Sequence, residues 1–450
     1  MRSRKSIAVV GSGISGLSAA WLLAKHYDVT LFEAEGRAGG HSNTCDVPGG
    51  ARTVPVDTGF IVYNVASYPN LIALFDHLKV PTTEAEMSFA VSLDDGAYEY
   101  AGTGLATLFG QPTNFFRPSH WRMICDIFRF FREAVALAAS RHDDQRTLGQ
   151  YLAAEGYSDA FVTRHILPMA AAIWSTPSCG VLDFPISAFV RFFANHGLLQ
   201  VKDRPQWRTV VGGSREYVRR LLADFNGTVR LGEPVQRVAR SPNGVVVSTL
   251  NGDRLFDACV IATHADDALA LLVDPSPDEA TTLGAFRYIK NRAVLHSDVG
   301  LMPRIRRIWS SWNYISHGTG IDSALAVTYW MNKLQPLGAG ASDLFVSLNP
   351  DQALLPEKVI ATFDYAHPMF DQSAMRAQRE LWRLQGQRQT WYCGSYFGYG
   401  FHEDGLQAGL AAAEAIGGVR RPWTINNESC RIHARPHMQS DESRDREAAE

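Results

Sequence analysis

Gly11, Gly13 and Gly16 stand in GxGxxG spacing directly after the apolar run IAVV, and an acid, Glu33, ends the stretch DVTLFEA that follows. The first glycine permits a tight turn, the second lets the backbone approach a pyrophosphate, and the third lets a helix lie close on the strand. ISGLSAAWLLAKH, with Ser15 near its start, carries apolar residues at helical spacing. The N-terminal amides and positive dipole end of such a helix face phosphate. A carboxylate about twenty residues on accepts hydrogen bonds from ribose hydroxyls and repels a 2′-phosphate. Strand, turn, helix, second strand and acid in this order predict a bound dinucleotide rather than a bare glycine turn. The next words, EAEGRAGGHSNT, add Ala34, Arg37, Gly39, Gly40 and His41. A glycine pair beside an arginine makes a second place where backbone and cation can lie against phosphate or a flat ring.

The 450 residues exceed one ordinary core and predict two domains, or one with a large insertion. Apolar residues make up 46% and charged residues 20%, ordinary for a globular enzyme. A net charge of -3 gives no reason to expect nucleic acid as a partner. The six cysteines show no CxxC pair and no zinc-site spacing, so they read as reduced thiols of a cytoplasmic protein with no metal. His433 and His437, near the end, read as solvated rather than as ligands. MRSRKSIAVVGSG has no signal-peptide apolar stretch, and no apolar run approaches the roughly eighteen residues of a spanning helix.

The Arg37, Gly39, Gly40 block after the glycine turn resembles the FAD-binding signature of the flavin amine oxidase superfamily, which also includes carotenoid desaturases and protoporphyrinogen oxidases. The resemblance implies FAD as cofactor and an α/β fold: a Rossmann-type (GR2, amine oxidase-like) FAD-binding domain with an interleaved α+β substrate domain. The nucleotide blocks fall at 1–75, 205–285 and 376–420, the substrate segments at 76–204 and 286–375, and 421–450 reads as a disordered charged tail. By the same resemblance Val235, in EPVQRV, contacts adenine through its backbone. Gly405, Leu406 and Gln407 sit where a helix N-terminus meets the flavin pyrimidine edge, and such a terminus stabilises the negative charge of reduced flavin. Gly394 belongs to the ribityl or pyrophosphate contact, although Gly394-Ser395 stands where the family more often has Gly-Glu.

VDTGFIVYN, LPMAAAIWSTP, SWNY and HPMF, with GGHSNT and GYGFHEDGLQAG, resemble a bacterial subgroup of that superfamily encoded beside cyclopropane fatty acid synthase-like methyltransferases. This implies dehydrogenation (desaturation) of methylated acyl chains on phospholipids and a methyltransferase as functional partner. LFGQPTNFFRPSHWRMICDIFRFF concentrates Phe109, Phe115, Phe116, Trp121, Phe128, Phe130 and Phe131 among Arg117, Arg122, Arg129 and Arg132. Such a stretch is either the core of a helical bundle or a peripheral membrane contact.

Flavin takes a hydride from carbon, so the protein must supply a base for the second proton. His402, Tyr399, Tyr396 and His41 are the candidates by position, and His402 is read equally as a loop-holding hydrogen bonder. In amine oxidases a lysine commonly holds a water near the flavin; Lys290, Asn291 or Arg292 occupies that neighbourhood in YIKNRAVLH. An amine-caging aromatic pair would be Tyr396 with Tyr399 or Trp391. Three readings follow: a lipid dehydrogenase, an amine oxidase releasing hydrogen peroxide, and a flavin-binding partner without turnover. Glu33→Ala should weaken FAD retention, read as the flavin absorbance of the purified variant; full FAD content would remove Glu33 from the ribose contact.

Overall fold

The run Ser6–Val10 forms a strand buried at four of its five positions. It is the middle strand of a five-stranded parallel sheet ordered Thr228–Arg230, Asp28–Phe32, Ser6–Val10, Ala258–Ile261 and Thr390–Tyr392. Parallel strands covered on both faces read as continuous apolar runs, which is why IAVV and ACVI show no alternation. In this computed structural model the described residues are 4–434, apart from 50–51, 141–143, 175–177, 201–203, 317–325, 339 and 351.

The first helix, Ile14–Leu23, is buried at all ten positions. It lies between the sheet and the last helix, His402–Ile416. Glycine allows that second contact: a Cβ on Gly409 would collide with the Ser15 carbonyl oxygen and the Ser18 hydroxyl, and one on Gly405 would stand 2.8 Å from the Ser15 hydroxyl. The two helices therefore meet backbone to backbone, and the C-terminal segment is drawn onto the first glycine turn.

A second apolar core sits between a seven-stranded sheet and a group of helices. The sheet runs Val359–Met369, Arg287–His296, Phe345–Leu348, Ala326–Trp330, Trp312–Ser316, Phe89–Leu93, Tyr98–Ala101. Its pairs are antiparallel except Trp312–Ser316 with Phe89–Leu93. The covering helices include Pro118–Ala139, Leu167–Trp174 and Ile186–Asn195. Phe130, Phe161, Phe189 and Phe193 interlock there, fully buried.

Two features depart from the sequence reading. A boundary at residue 75 cuts a helix, Pro69–Leu78, and separates strands that share a partner: Tyr63–Asn64 and Thr82–Ala85 both pair with Trp207–Val210. Ladder hydrogen bonds hold these segments together, and composition does not report them. The tail begins later than 421. Arg421 is buried, donating to both Glu414 oxygens at 2.8 and 2.9 Å and to Asn70 at 2.9 Å, and Arg431 pairs with Asp404 at 3.3 Å. A buried guanidinium with this many acceptors anchors 421–434, whereas 435–450, with His437, lie outside the described residues. Among the described residues no helix is long and apolar enough to cross a membrane.

Gly409→Ala should lower stability by about 1–3 kcal/mol through overpacking at the helix crossing. Thermal unfolding checks it: an unchanged midpoint would show that the helices have room to part.

Candidate functional site

A cavity of about 1590 Å³ runs from the first glycine turn into the second core. It exceeds the roughly 300–1,000 Å³ of ordinary small-ligand sites, leaving room for a dinucleotide and a further molecule beyond it. At one end it is lined by Gly11, Gly13, Ser15, Glu33, Ala34 and Arg37. Gly11 has φ +98°, and a Cβ there would stand 2.9 Å from the Ala262 carbonyl oxygen. Gly16 does not line the cavity; a Cβ on it would strike the Gly11 carbonyl oxygen, so it serves the helix-on-strand approach. No side chain caps the first helix, which leaves its N-terminal amides free for an anion. The Glu33 carboxylate accepts from the Ser12 amide at 2.9 Å, the Ser12 hydroxyl at 2.5 Å and the Glu35 amide at 2.9 Å. Acceptor capacity remains for a ribose diol.

The second glycine turn folds over the first. A Cβ on Gly40 would lie 3.2 Å from the Gly13 Cα, and the Arg37 guanidinium donates to the Gly40 carbonyl at 2.9 Å while pairing with Glu35 at 3.0 Å. Side chains larger than hydrogen would fill this cradle. The residues present therefore fit the pyrophosphate and flat ring of the FAD that the sequence implies.

Beyond the cradle, four aromatic residues approach one another. His41 stacks on Tyr365 with centroids 4.8 Å apart and lies 5.3 Å from His367 and 6.4 Å from His264. Its Nε2 is buried without a partner. His367 Nδ1 meets the Asn291 side-chain amide at 2.8 Å, and Tyr365 hydroxyl contacts Thr58 at 2.7 Å and Asn43 at 3.1 Å. Burial, reinforced by neighbouring imidazoles, holds His41 well below the usual histidine value, and burial takes His367 down to about 4. Both are neutral at pH 7.

His402 opens the last helix and is locked. Its Nε2 contacts Ser42 Oγ at 2.9 Å and Tyr217 Oη at 3.0 Å, and its ring stacks on Phe60 with centroids 3.7 Å apart. Burial lowers it to about 3. These contacts engage one ring nitrogen and tie the start of the last helix to Ser42 and Tyr217. Glu403 beside it accepts from the Asn70 and Leu71 amides at 3.0 Å each. Tyr396 is buried in the first core against Phe286 and Phe397, and burial raises its hydroxyl well above the usual phenol value. Tyr399 lines the cavity and meets Phe192 edge-on at 6.0 Å. Tyr396 and Tyr399 both line the cavity, Tyr396 with its ring packed in the core, whereas Trp391 lies outside the cavity wall, in the fifth strand of the parallel sheet.

Of the residues singled out by sequence, Gly11, Gly13, Ser15, Glu33, Ala34, Arg37, Gly39, Gly40, His41, Gly394, Tyr396, Tyr399, His402 and Lys290 all line this cavity. Gly405, Leu406 and Gln407 do not. The helix starts at His402, so these three lie a turn inside it. Gln407 donates to Glu403 at 2.9 Å and accepts from the Arg431 amide at 3.1 Å. Val235 also lies off the wall, at a bulge opening the strand Val235–Ser241. Its neighbourhood still tracks the acid: the Gly232 and Glu233 amides donate to the Glu35 and Glu33 carbonyls at 2.8 and 2.9 Å. Sequence reasoning missed Tyr365, His367 and His264. A signal was present: Phe363, Tyr365 and His367 alternate in TFDYAHPMF, placing all three on one face of a strand.

The pattern of the family described as flavin containing amine oxidoreductase matches residues 14–299. Over 280 residues the chain is 26% identical to AofH of Mycobacterium tuberculosis, which carries the name of a flavin-containing monoamine oxidase; the match covers 60% of this chain and 59% of that protein. The chain thus spans about three fifths of the length of the curated relatives it first matches. A fatty acid isomerase from P. acnes that produces CLA superposes with TM-score 0.65 at 15% identity, covering 92% of this chain and 98% of the other. Putrescine oxidase bound to putrescine gives 0.66 at 16%, covering 92% and 98%. At such identity the agreement is one of fold.

Burial holds His165, His196 and His402 at about 3 and His120, His296 and His367 at about 4, and lowers His41, His264 and His433 as well. In the unfolded chain each ionises near 6.5. Between those values the unfolded chain binds protons that the folded one refuses, so the stability is full above about pH 6.5 and is lost as pH falls toward 4. Asp57, raised to about 6 by burial, works the opposite way, as do Glu403 and Asp404, but they are fewer. The unfolding midpoint should therefore drop by roughly 5–10 °C between pH 7.5 and pH 5. A flat midpoint across that window would show that the histidines ionise freely in the folded protein.

Proposed function

The chain belongs to the family of flavin containing amine oxidoreductases and is an FAD-dependent oxidoreductase, and from that premise we propose that it dehydrogenates a long apolar acyl chain carried on a lipid. The observation that carries this reading is the lining of the cavity beyond the ring end. It passes Phe192, Trp174 and Met169 and continues to Ile127, Phe131 and Leu108, an apolar course much longer than a compact amine requires. Its acids away from the nucleotide end, Asp267 and Asp364, are exposed and so stand at the rim. The fold itself does not choose, since one neighbour is named for a fatty acid and another for putrescine. The words shared with the methyltransferase-associated subgroup support a methylated acyl chain as substrate and that methyltransferase as the partner supplying it.

When bound, FAD would supply the hydride acceptor for such a dehydrogenation, in which two neighbouring carbons lose a hydride and a proton and the bond between them becomes double, so the chain's own residues must take the proton. Neutral imidazoles on the wall are suited to take that proton. His41 has an unpartnered Nε2, and His367 is oriented by Asn291. Tyr365, held by Thr58 and Asn43, fixes the His41 ring by stacking. His402, Ser42 and Tyr217 fasten the C-terminal loop over the glycine cradle and keep water from its inner side. Phe192 and Phe401, stacked at 4.9 Å, wall the chain's path.

Anaerobic titration of the purified protein with bacterial phospholipids bearing methylated or unsaturated chains, and separately with an amine panel, tests this reading. Bleaching of the flavin absorbance by the lipids alone is the expected outcome. Bleaching by amines with peroxide formed in air would make the protein an amine oxidase, and a bound flavin that neither reduces would make it a partner without turnover.

A further inference from the structure

Most of the aromatic stretch 109–131 is not in the core. Phe130 is buried, but Phe116 is 81% exposed, Phe115 and Phe128 56% each, and Trp121 43%. Leu105, just before them, is 78% exposed. These side chains support one another. Phe115 meets Phe116 and Trp121 at 5.5 and 5.7 Å, Phe109 meets Trp121 at 5.0 Å, and the Trp121 indole donates to the Phe115 carbonyl at 2.9 Å. The protrusion is built, not frayed.

The long helix Pro118–Ala139 explains how this patch relates to the cavity. Ile124, Ile127, Phe128 and Phe131, spaced at three and four residues, form one stripe and all line the cavity. Trp121, Cys125, Phe128 and Val135 form the adjoining stripe, which is exposed. Phe128 belongs to both. Leu105 likewise lines the cavity while standing exposed. The apolar cavity therefore opens onto the apolar patch, and a molecule can pass between them without crossing a polar rim.

Around the patch the charge is positive. From 102 to 139 there are four arginines and two carboxylates, each carboxylate paired within the helix: buried Asp126 with Arg122 at 3.5 Å and Glu133 with Arg129 at 2.9 Å, which leaves the segment a net positive charge. Arg122 and Arg132 stand exposed on the helix. Arg307, also exposed, reaches the Gly110 carbonyl from a separate segment, with Arg304 exposed beside it and Arg306 paired with Asp343 at 3.1 Å. Exposed aromatic side chains ringed by arginines match a bilayer whose headgroups are anionic. A second copy fits less well, because a two-fold contact sets the same arginines against each other.

We propose that this face docks on an anionic lipid bilayer, with Phe115, Phe116 and Trp121 inserted and Phe128 and Leu105 at a portal through which the acyl chain enters the cavity. The docking rests on the lipid reading of function for its purpose but not for its test. Sedimentation with extruded vesicles of phosphatidylcholine, and of phosphatidylcholine with phosphatidylglycerol, reads binding without turnover. The intact FAD-loaded chain should pellet with the anionic vesicles and less with the neutral ones. Phe116→Asp, which touches no cavity wall, should reduce the bound fraction about tenfold or more while FAD absorbance and unfolding midpoint stay as in the parent. Arg122→Glu with Arg132→Glu should reduce binding and flatten its salt dependence. Absence of the chain from both pellets, or equal binding by parent and Phe116→Asp, would overturn the proposal. A concentration-dependent dimer abolished by Phe116→Asp would give the face to a second copy, and binding only in the presence of the methyltransferase would give it to that protein. Flavin bleaching by detergent-dispersed lipid decides the function separately, so a substrate failure and a docking failure are told apart.

Discussion

The backbone contact between the first and last helices is the constraint from which the site follows. Gly405 and Gly409 remove the side chains that would hold the N-terminal and C-terminal segments apart. Once the helices touch, the loop ahead of the last helix has little choice of position. It lies over the glycine cradle, and His402 falls within reach of Ser42 and Tyr217. A cavity formed this way has walls from distant parts of the sequence, each held by a different element, which suits a site that must keep water out along a long path.

Polar groups inside this structure are costly and mostly compensated. Asp57 accepts from the Ser214 amide and hydroxyl, the Thr44 hydroxyl and the Gln335 side chain, yet burial still raises it to about 6. Arg240 lies between Glu279 and Asp274, and Arg421 between Glu414 and Asn70. Removing one partner of such a group strands the other, which is far more destabilising than the pair is stabilising. The unpartnered Nε2 of His41 is of another kind, a neutral nitrogen on the wall of a cavity made to hold something else.

How much of this was legible depends on the range over which each feature is encoded. The first turn, its helix and Glu33 lie within about thirty residues and obey local spacing, so their meaning was readable. The position of His402 was readable from its place ahead of a helix, but not its hydrogen-bond partners, which lie 360 and 185 residues away. Gly405, Leu406 and Gln407 were displaced from the wall because the helix begins three residues before Gly405, a boundary that sequence patterns fix poorly. Arg421 and Arg431 looked like part of a charged tail, since nothing local shows that Glu414, Asn70 and Asp404 will receive them. The exposed aromatics were ambiguous for the same reason: helical spacing tells which residues share a stripe, and only the fold tells which stripe meets protein.

The order of strands in the parallel sheet has a consequence for how the molecule is made. Its outer strand, Thr390–Tyr392, pairs with Ala258–Ile261, which pairs with Ser6–Val10. During synthesis the opening strand and helix leave the ribosome hundreds of residues before the strand and helix that complete their packing. For that interval an apolar strand and a helix destined to be buried at every position are present without their partners, a situation that favours aggregation and chaperone capture. The cradle is roofed only when the loop ahead of His402 has been made, 360 residues after the Ser42 it bonds, so flavin loading waits on a distant downstream segment.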